Sequence, residues 1–147
     1  MRDRARMSRL RLHLSATAEE VPFARAAITR LCEHLEIDEK LTERVRLAVT
    51  EACTNCVRHA YGELEESATY VLDARADKRA LLVTVCDHGL GIQPGQPNNP
   101  GGLGLGLDLI DQVADSLNVS SRPCGGTRVA MRFALPAGST LRPAVPA

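Results

Sequence analysis

Hydrophobic and polar residues alternate in five segments of the chain, which is the period of strands with one buried face. In the first segment, Leu10, Leu12 and Leu14 alternate with Arg11 and His13. The four later segments form two pairs, each joined by a short turn-forming sequence, which predicts two hairpins. The predicted strands cover residues 8–16, 68–76, 80–87, 117–121 and 127–135.

Apolar residues return every three or four positions in three other segments, as they do on amphipathic helices. The first helix is predicted over residues 20–36, with Phe23 on its apolar stripe, behind a pair, Thr17 and Glu20, that resembles a capping box. The second begins at a capping Asp38 and runs to the stop signal at Gly62. The third follows a glycine run, and its apolar positions extend over residues 105–117.

The order β-α-α-β-β-loop-α-β-β lacks the strict β-α-β alternation of a parallel doubly wound sheet. We therefore predict an α+β fold, a two-layer sandwich with helices on one face of a mostly antiparallel sheet. The 147 residues suffice for one domain, expected over residues 1–135. Residues 136–147 are rich in proline and are expected to form a disordered tail.

Composition narrows the possible partners. Lysine plus arginine and aspartate plus glutamate number 18 each, so the formal net charge is zero and nucleic acid is not the favoured partner. The longest uncharged apolar run is far shorter than the roughly 18 residues of a membrane span. Five cysteines without a leader sequence indicate reduced, cytoplasmic thiols, and we interpret the CxxC pair Cys53 and Cys56 as core residues.

The second helix carries Glu51, Asn55 and His59 at intervals of four residues. Side chains at this spacing form one stripe on a helix. A carboxylate there can accept a proton from an attacking hydroxyl, and an amide oxygen can bind Mg²⁺. A solvated polar helix face explains the same spacing, so the stripe alone does not decide between the two.

Two glycine-containing segments add further candidate chemistry. Asp87 begins the sequence DHGLG at the end of an apolar strand, where a carboxylate can accept a hydrogen bond from the adenine N6 amine. A simple Asp-x-Gly turn is the alternative. Residues 101–106 (GGLGLG) precede the third helix, and such helix starts favour phosphate. Neither a Rossmann nor a P-loop pattern fits, because no strand precedes these glycines and no Lys-Ser/Thr follows them.

Taken in order, these segments resemble the motifs of the GHKL superfamily of gyrase, Hsp90, histidine kinases and anti-sigma factor kinases. The shared pattern is Glu-x3-Asn-x3-His-Ala-Tyr, Asp-x-Gly-x-Gly-Ile, Gly-Leu-Gly-Leu-Gly and a final Gly-Gly-Thr. The resemblance covers residues 8–135 and implies the Bergerat ATP-binding fold. The N-terminal strand, the run TEACTNCVRHAYG at 50–62 and the length are most similar to anti-sigma factor serine kinases.

This resemblance implies ATP and Mg²⁺ as cofactors, and implies a role for each candidate residue. Glu51 would be the general base and Asn55 the Mg²⁺ ligand. Adenine would bind Asp87 and Thr127, in a pocket shaped by Gly89 and Gly91. The phosphates would contact Gly104 and Gly106. Arg25 would contact a partner protein.

The implied partners are an anti-anti-sigma protein, phosphorylated on serine, and a sigma factor, sequestered when the first is not engaged. A homodimer is also implied. The chain departs from the pattern of these kinases in the segment that corresponds to the ATP lid, residues 93–103, which contains no lysine or arginine. A non-catalytic ATP-binding adaptor of the same fold therefore remains the alternative function.

Overall fold

The computed structural model describes residues 9–60, 68–88, 105–123 and 125–136. Within these residues the chain forms five strands and three α-helices, and a single 3-10 turn, Ala18–Glu20, precedes the first helix. In chain order the elements are β1 Arg9–Ser15, α1 Val21–His34, α2 Glu39–Ala60, β2 Thr69–Ala76, β3 Ala80–Asp87, α3 Leu105–Val113, β4 Ser116–Ser121 and β5 Thr127–Ala134.

All five strands lie in one sheet in the order β1-β2-β3-β5-β4, and every neighbouring pair is antiparallel. The predicted α+β sandwich with an antiparallel sheet is thus confirmed. Because β4 lies at the edge and β5 returns to the middle, the end of β3 adjoins the start of β5. Two segments 40 residues apart in sequence therefore meet in space.

The helices cover one face of the sheet, and the core lies between the two layers. Alternate strand residues point into it, and the largest of them, Tyr70 and Phe133, are fully buried. Ile28 of α1 and Val49 of α2 face them from the helix layer and are equally buried. The period-2 and period-3.6 patterns of the sequence are therefore satisfied by the same core.

Helix α3 runs antiparallel to α2. At the C-terminal end of α3, the Val113 carbonyl oxygen accepts a hydrogen bond of 2.8 Å from Nε of Arg44 on α2. At its N-terminal end, Gly106 lies against Glu51 and Asn55 of α2. The positive end of the α3 dipole is thus held beside the polar stripe of α2.

Three details of the sequence prediction were wrong. Thr17 makes no side-chain capping bond, and a 3-10 turn separates it from α1. The third helix ends at Val113, since the next residues are captured by β5: the Asp115 amide donates to the Arg132 carbonyl, and Asp115 Oδ2 accepts from the Ala134 amide. Phe23, assigned to the apolar stripe, is 59% exposed.

Several other predictions lie outside the described residues. They are Gly89, Gly91 and Gly104, the lid segment 93–103, the stop signal at Gly62 and almost all of the tail. The buried thiols are confirmed for Cys53 and Cys56, and neither forms a disulfide. None of the described helices is long and apolar enough to cross a membrane.

Candidate functional site

The polar stripe of α2 meets the first turn of α3. A Cβ atom added at Gly106 would lie 3.1 Å from Glu51 Oε2 and 3.1 Å from each polar atom of the Asn55 amide. Both side chains are only partly exposed. Glu51 and Asn55 therefore turn toward α3 and are not part of a fully solvated helix face, and the missing side chain at Gly106 gives them room.

Asp87 occupies the last position of β3 and points to the helix side of the sheet. Its strand partner on β2 is the inward-facing Tyr70. The backbone N–H of Thr127 donates a hydrogen bond to Asp87 Oδ1 at 2.9 Å. The side chain of Thr127 is buried at the start of β5. The hydrogen bond thereby joins the Asp87 carboxylate to the start of β5.

The turn between β4 and β5 fixes the backbone at the end of β3. The Arg122 guanidinium donates to the Asp87 carbonyl oxygen at 3.3 Å and lies 3.2 Å from His88 Nδ1. Gly126 has a φ of 95°, and a Cβ there would collide with the Asp87 carbonyl oxygen. Glycine is required at this position both for its backbone conformation and for the close approach.

Helix α2 joins the two halves of the site. Asn55 contacts Gly106, and the next residue, Cys56, lies beside Asp87. Burial and the neighbouring Asp87 carboxylate raise the pKa of the Cys56 thiol well above its ordinary value, so it stays neutral at physiological pH. A neutral thiol can approach a carboxylate without charge repulsion.

One polar atom remains unpartnered below the site. The Tyr70 hydroxyl is buried and makes no hydrogen bond within the described part of the chain. The Cys53 thiol lies beside it without the geometry of a full hydrogen bond. Burial raises the pKa of Cys53 to about 11 and also raises that of Tyr70, so both groups are neutral.

The predicted site residues thus separate into two groups. Glu51, Asn55 and Gly106 come together, and so do Asp87 and Thr127, with α2 linking the two sets. Arg25 is exposed on α1, and within the described residues no hydrogen bond or ion pair connects its side chain to these residues. His59 lies in α2, with its side chain outside the description.

The arrangement fits an adenine nucleotide. A carboxylate and a hydroxyl at a strand end can accept and donate hydrogen bonds to an amino-purine edge. The space at Gly106, which a Cβ would fill, adjoins a helix start that favours phosphate. In the described residues no group of three His, Cys, Asp or Glu side chains is arranged to hold a metal ion.

Comparison with known proteins agrees with this geometry. Residues 14–133 match the model of the histidine kinase-like ATPase domain. The chain belongs to the histidine kinase-like ATPases. Among the curated members of this family, it is 31% identical to the anti-sigma F factor of Pasteuria penetrans over 134 residues, covering 84% of this chain and 89% of that one.

A second relative, the anti-sigma F factor of Clostridium perfringens, is 30% identical over 135 residues, with 85% of this chain and 95% of that protein covered. These matches identify this ATPase as a member of the GHKL superfamily similar to the anti-sigma factor kinases. The sequence resemblance is thereby confirmed.

Solved structures share the fold of this ATPase. The SiaB–SiaC complex of Pseudomonas aeruginosa contains a chain with a TM-score of 0.64 at 13% identity, covering 88% of this chain and 92% of that one. The RsbU and RsbW domains of Rv1364c from Mycobacterium tuberculosis give 0.63 at 18% identity and 88% coverage of this chain. This ATPase corresponds to 33% of the latter chain.

Sequence reasoning missed Arg122, Gly126 and Cys56 as neighbours of Asp87. Gly126 had a signal, because the Gly-Gly-Thr motif contains it, although only Thr127 was assigned a role. Arg122 had none, since its contact with Asp87 spans 35 residues and depends on the strand order. Cys56 was correctly placed in the core, but its side chain reaches the edge of the site.

Proposed function

We propose that this ATPase is an anti-sigma factor that binds ATP with Mg²⁺ and phosphorylates a serine of an anti-anti-sigma protein in the cytoplasm. It sequesters a sigma factor when it is not engaged with that substrate. The observation that carries the proposal is the convergence of the Glu51 carboxylate and the Asn55 amide on Gly106 at the start of α3.

Glu51 would act as the general base. Its carboxylate takes the proton of the serine hydroxyl as the serine oxygen bonds to the γ-phosphorus of ATP and the bond to ADP breaks. Positioning and charge stabilisation supply most of the rate in phosphoryl transfer, so a fixed base matters more than a strong one. The packing of Glu51 against α3 supports this role.

Asn55 would hold the magnesium ion through its amide oxygen. Mg²⁺ commonly keeps one or two protein ligands and takes the rest from phosphate oxygens and water. One amide ligand beside a helix start is compatible with that coordination. The ion would neutralise charge on the transferred phosphoryl group, while Gly104 and Gly106 would leave room for the phosphates.

Asp87 would select adenine. Its Oδ1 accepts a hydrogen bond from the Thr127 amide at 2.9 Å, which fixes the orientation of the carboxylate, and a carboxylate can accept several hydrogen bonds, including one from an exocyclic amine. Guanine presents a carbonyl at the same position and would be rejected by the carboxylate. Thr127 would complete the purine contacts, and Gly89 and Gly91 would shape the pocket.

The partner surface would be the outer side of α1. Arg25 and Phe23 are both exposed at opposite edges of this side, because residues two positions apart on a helix do not face each other, and Phe23 retains 59% of its accessible surface. An exposed aromatic residue and an arginine on one helix are the residue types most enriched at protein interfaces. The anti-anti-sigma protein and the sigma factor would compete for this surface, and a homodimer would present it twice.

Phosphorylation would release the substrate protein. A phosphoserine carries close to two negative charges at neutral pH and disrupts an interface that is not built to receive them. The ATPase would then be free to hold the sigma factor. Partner choice thus depends on turnover at Glu51.

The Glu51→Ala variant tests this proposal in a reconstituted transcription assay. We expect the variant to retain inhibition of the sigma factor and to lose ³²P transfer from ATP to the anti-anti-sigma protein. Without that transfer, phosphorylation no longer controls how the anti-anti-sigma protein relieves the inhibition. Glu43→Ala, which removes an exposed carboxylate two turns earlier in the same helix, is the matched control and should behave as wild type.

The adaptor function is favoured by one observation, the absence of lysine and arginine from residues 93–103. Without cationic side chains in this segment, less charge stabilisation reaches the γ-phosphate. If Glu51→Ala changes neither inhibition nor relief, ATP acts as a structural ligand and the kinase proposal is wrong.

A calorimetric titration with ATP and GTP tests the adenine pocket separately. Wild type should prefer ATP, and Asp87→Asn should lose most of that preference, because an amide can also donate to the guanine carbonyl. Equal affinity of the wild type for both nucleotides would contradict the role of Asp87.

A further inference from the structure

The sheet has a second face, turned away from the helices, that carries a concentration of arginine. Because side chains alternate along a strand, this open sheet face consists of every second strand residue. Its charged members are one aspartate, Asp73, and five arginines: Arg9, Arg11, Arg75, Arg128 and Arg132.

Strand register aligns three of these arginines in one row. Arg9 pairs with Arg75, Arg75 with Leu82, and Leu82 with Arg132. At about 4.8 Å between strands, the row spans roughly 14 Å. Leu82 lies within it and is 40% exposed. The row therefore combines cations with an apolar side chain that the described part of the chain leaves uncovered.

Asp73 neutralises only part of this charge. Its Oδ2 accepts from Arg9 Nη2 at 2.9 Å and from Arg11 Nη1 at 3.4 Å, and its Oδ1 from Arg75 Nε at 3.2 Å. Burial alone would raise the pKa of Asp73, but the bonds from Arg9 and Arg75 outweigh it and lower the pKa below its ordinary value. One carboxylate is thus shared by three guanidinium groups.

The remaining charge is exposed. The side chains of Arg9, Arg11 and Arg75 are 44%, 52% and 63% accessible. Arg132 makes no ion pair within 4 Å in the described part of the chain, and it lines an open groove of about 500 Å³ with Arg9, Arg75, Leu82 and Asp77. The open sheet face and its groove together carry five arginines and two aspartates, Asp73 and Asp77, which leaves an excess of three positive charges.

This excess is local, because the whole chain has a formal net charge of zero. The three helices of the other layer carry six carboxylates and six basic side chains, so they have no net charge of their own. The two sides of the sandwich therefore differ in charge. A cationic face with an apolar centre is complementary to carboxylates that surround a hydrophobic side chain.

We propose that the open sheet face docks an acidic protein partner, whose carboxylates pair with the Arg9, Arg75 and Arg132 row around an apolar residue that covers Leu82. A second copy packed symmetrically on this face would bring two cationic surfaces together. Nucleic acid would meet Asp73 and Asp77 and would leave Leu82 uncovered.

A short fluorescein-labelled peptide with one leucine flanked by glutamates serves as the probe, and its glutamine counterpart as the reference. Fluorescence anisotropy should show binding of the acidic peptide to the full chain and little binding of the glutamine peptide. Arg132→Glu should weaken binding about tenfold, and Leu82→Ser should weaken it without changing charge. Lys40→Glu, the same charge reversal in the helix layer, should have no effect.

Each alternative occupant has its own outcome. Tighter binding of an oligothymidine than of the acidic peptide would overturn the proposal in favour of nucleic acid. A change of oligomeric state by light scattering in Arg132→Glu would overturn it in favour of a second copy. Equal binding of both peptides, or equal weakening by Lys40→Glu, would also overturn it. Urea unfolding verifies that the variants are folded.

This surface is independent of the nucleotide site, which lies on the helix side of the sheet. ATP affinity should therefore be the same in Arg132→Glu and wild type. Loss of peptide binding with unchanged ATP binding separates this proposal from the proposed kinase function.

Discussion

Replacing Gly126 by alanine should disturb the end of β3 more than the turn in which the glycine lies. The added Cβ would meet the Asp87 carbonyl oxygen, lie 2.8 Å from the Asp87 carbonyl carbon and lie 2.9 Å from His88 Cα. These are backbone atoms, so no side-chain rotation can relieve the contact. Either the β4–β5 turn or the Asp87 backbone must move.

The cost has two parts. A non-glycine residue at a φ of 95° carries left-handed strain of about 1–2 kcal/mol. Displacing β3 from β5 also weakens the bond from the Thr127 amide to Asp87 Oδ1, and a hydrogen bond to a charged acceptor contributes about 1.5–3 kcal/mol. If the bond is lost entirely, the two contributions sum to about 2.5–5 kcal/mol, which for a chain of this size lowers Tm by about 8–15 °C.

Gly125→Ala is the matched control, because Gly125 has a φ of 92° in the same turn. It should lose only the strain, about 1–2 kcal/mol. Urea unfolding gives the free energies, and calorimetry with ATP should show a loss of about tenfold in affinity for Gly126→Ala alone, equivalent to about 1.4 kcal/mol. Equal losses of stability and affinity in the two variants would refute the reasoning.

Three other substitutions probe the site and the open sheet face. Gly106→Ala should reduce phosphoryl transfer about tenfold and raise the Mg²⁺ requirement, because its Cβ would crowd Glu51 and Asn55 at 3.1 Å. Unchanged Mg²⁺ titrations would contradict this. Arg122→Gln should weaken ATP binding about fivefold, and Arg122→Lys should have an intermediate affinity. If calorimetry gives the same ATP affinity for both variants and wild type, Arg122 does not position Asp87. Asp73→Asn should cost about 1–2 kcal/mol at pH 7. The pKa of Asp73 is lowered in the folded state, so the difference in free energy of unfolding between wild type and Asp73→Asn should be complete above the ordinary pKa near 3.8 and should shrink as the pH falls below it. A difference that stays constant with pH in urea unfolding would show that the ion cluster does not stabilise the fold.

Local patterns were sufficient to predict the elements. All five strands and three helices occur where periodicity indicated, with β3 at the expected residues 80–87. The clearest error occurred where a tertiary contact overrode a local pattern. The third helix ends early because Asp115 bonds to β5, and Phe23 is exposed although its spacing fits the apolar stripe.

The candidate site was predictable in its parts, since Glu51, Asn55 and Asp87 lie in short motifs whose chemistry can be read directly. Their arrangement was not predictable from spacing. That Asn55 faces Gly106 depends on α3 running antiparallel to α2, and the Arg122 contact depends on β5 returning beside β3.

The sequence by itself determined the type and approximate extent of each element, because side-chain period and turn residues act over a few positions. It also determined which residues can accept a proton, bind a metal or approach a phosphate. Only the tertiary structure decided which of them meet. Strand order joins Asp87 to Thr127 across 40 residues, and strand register assembles an arginine row from β1, β2 and β5 in a chain with no net charge.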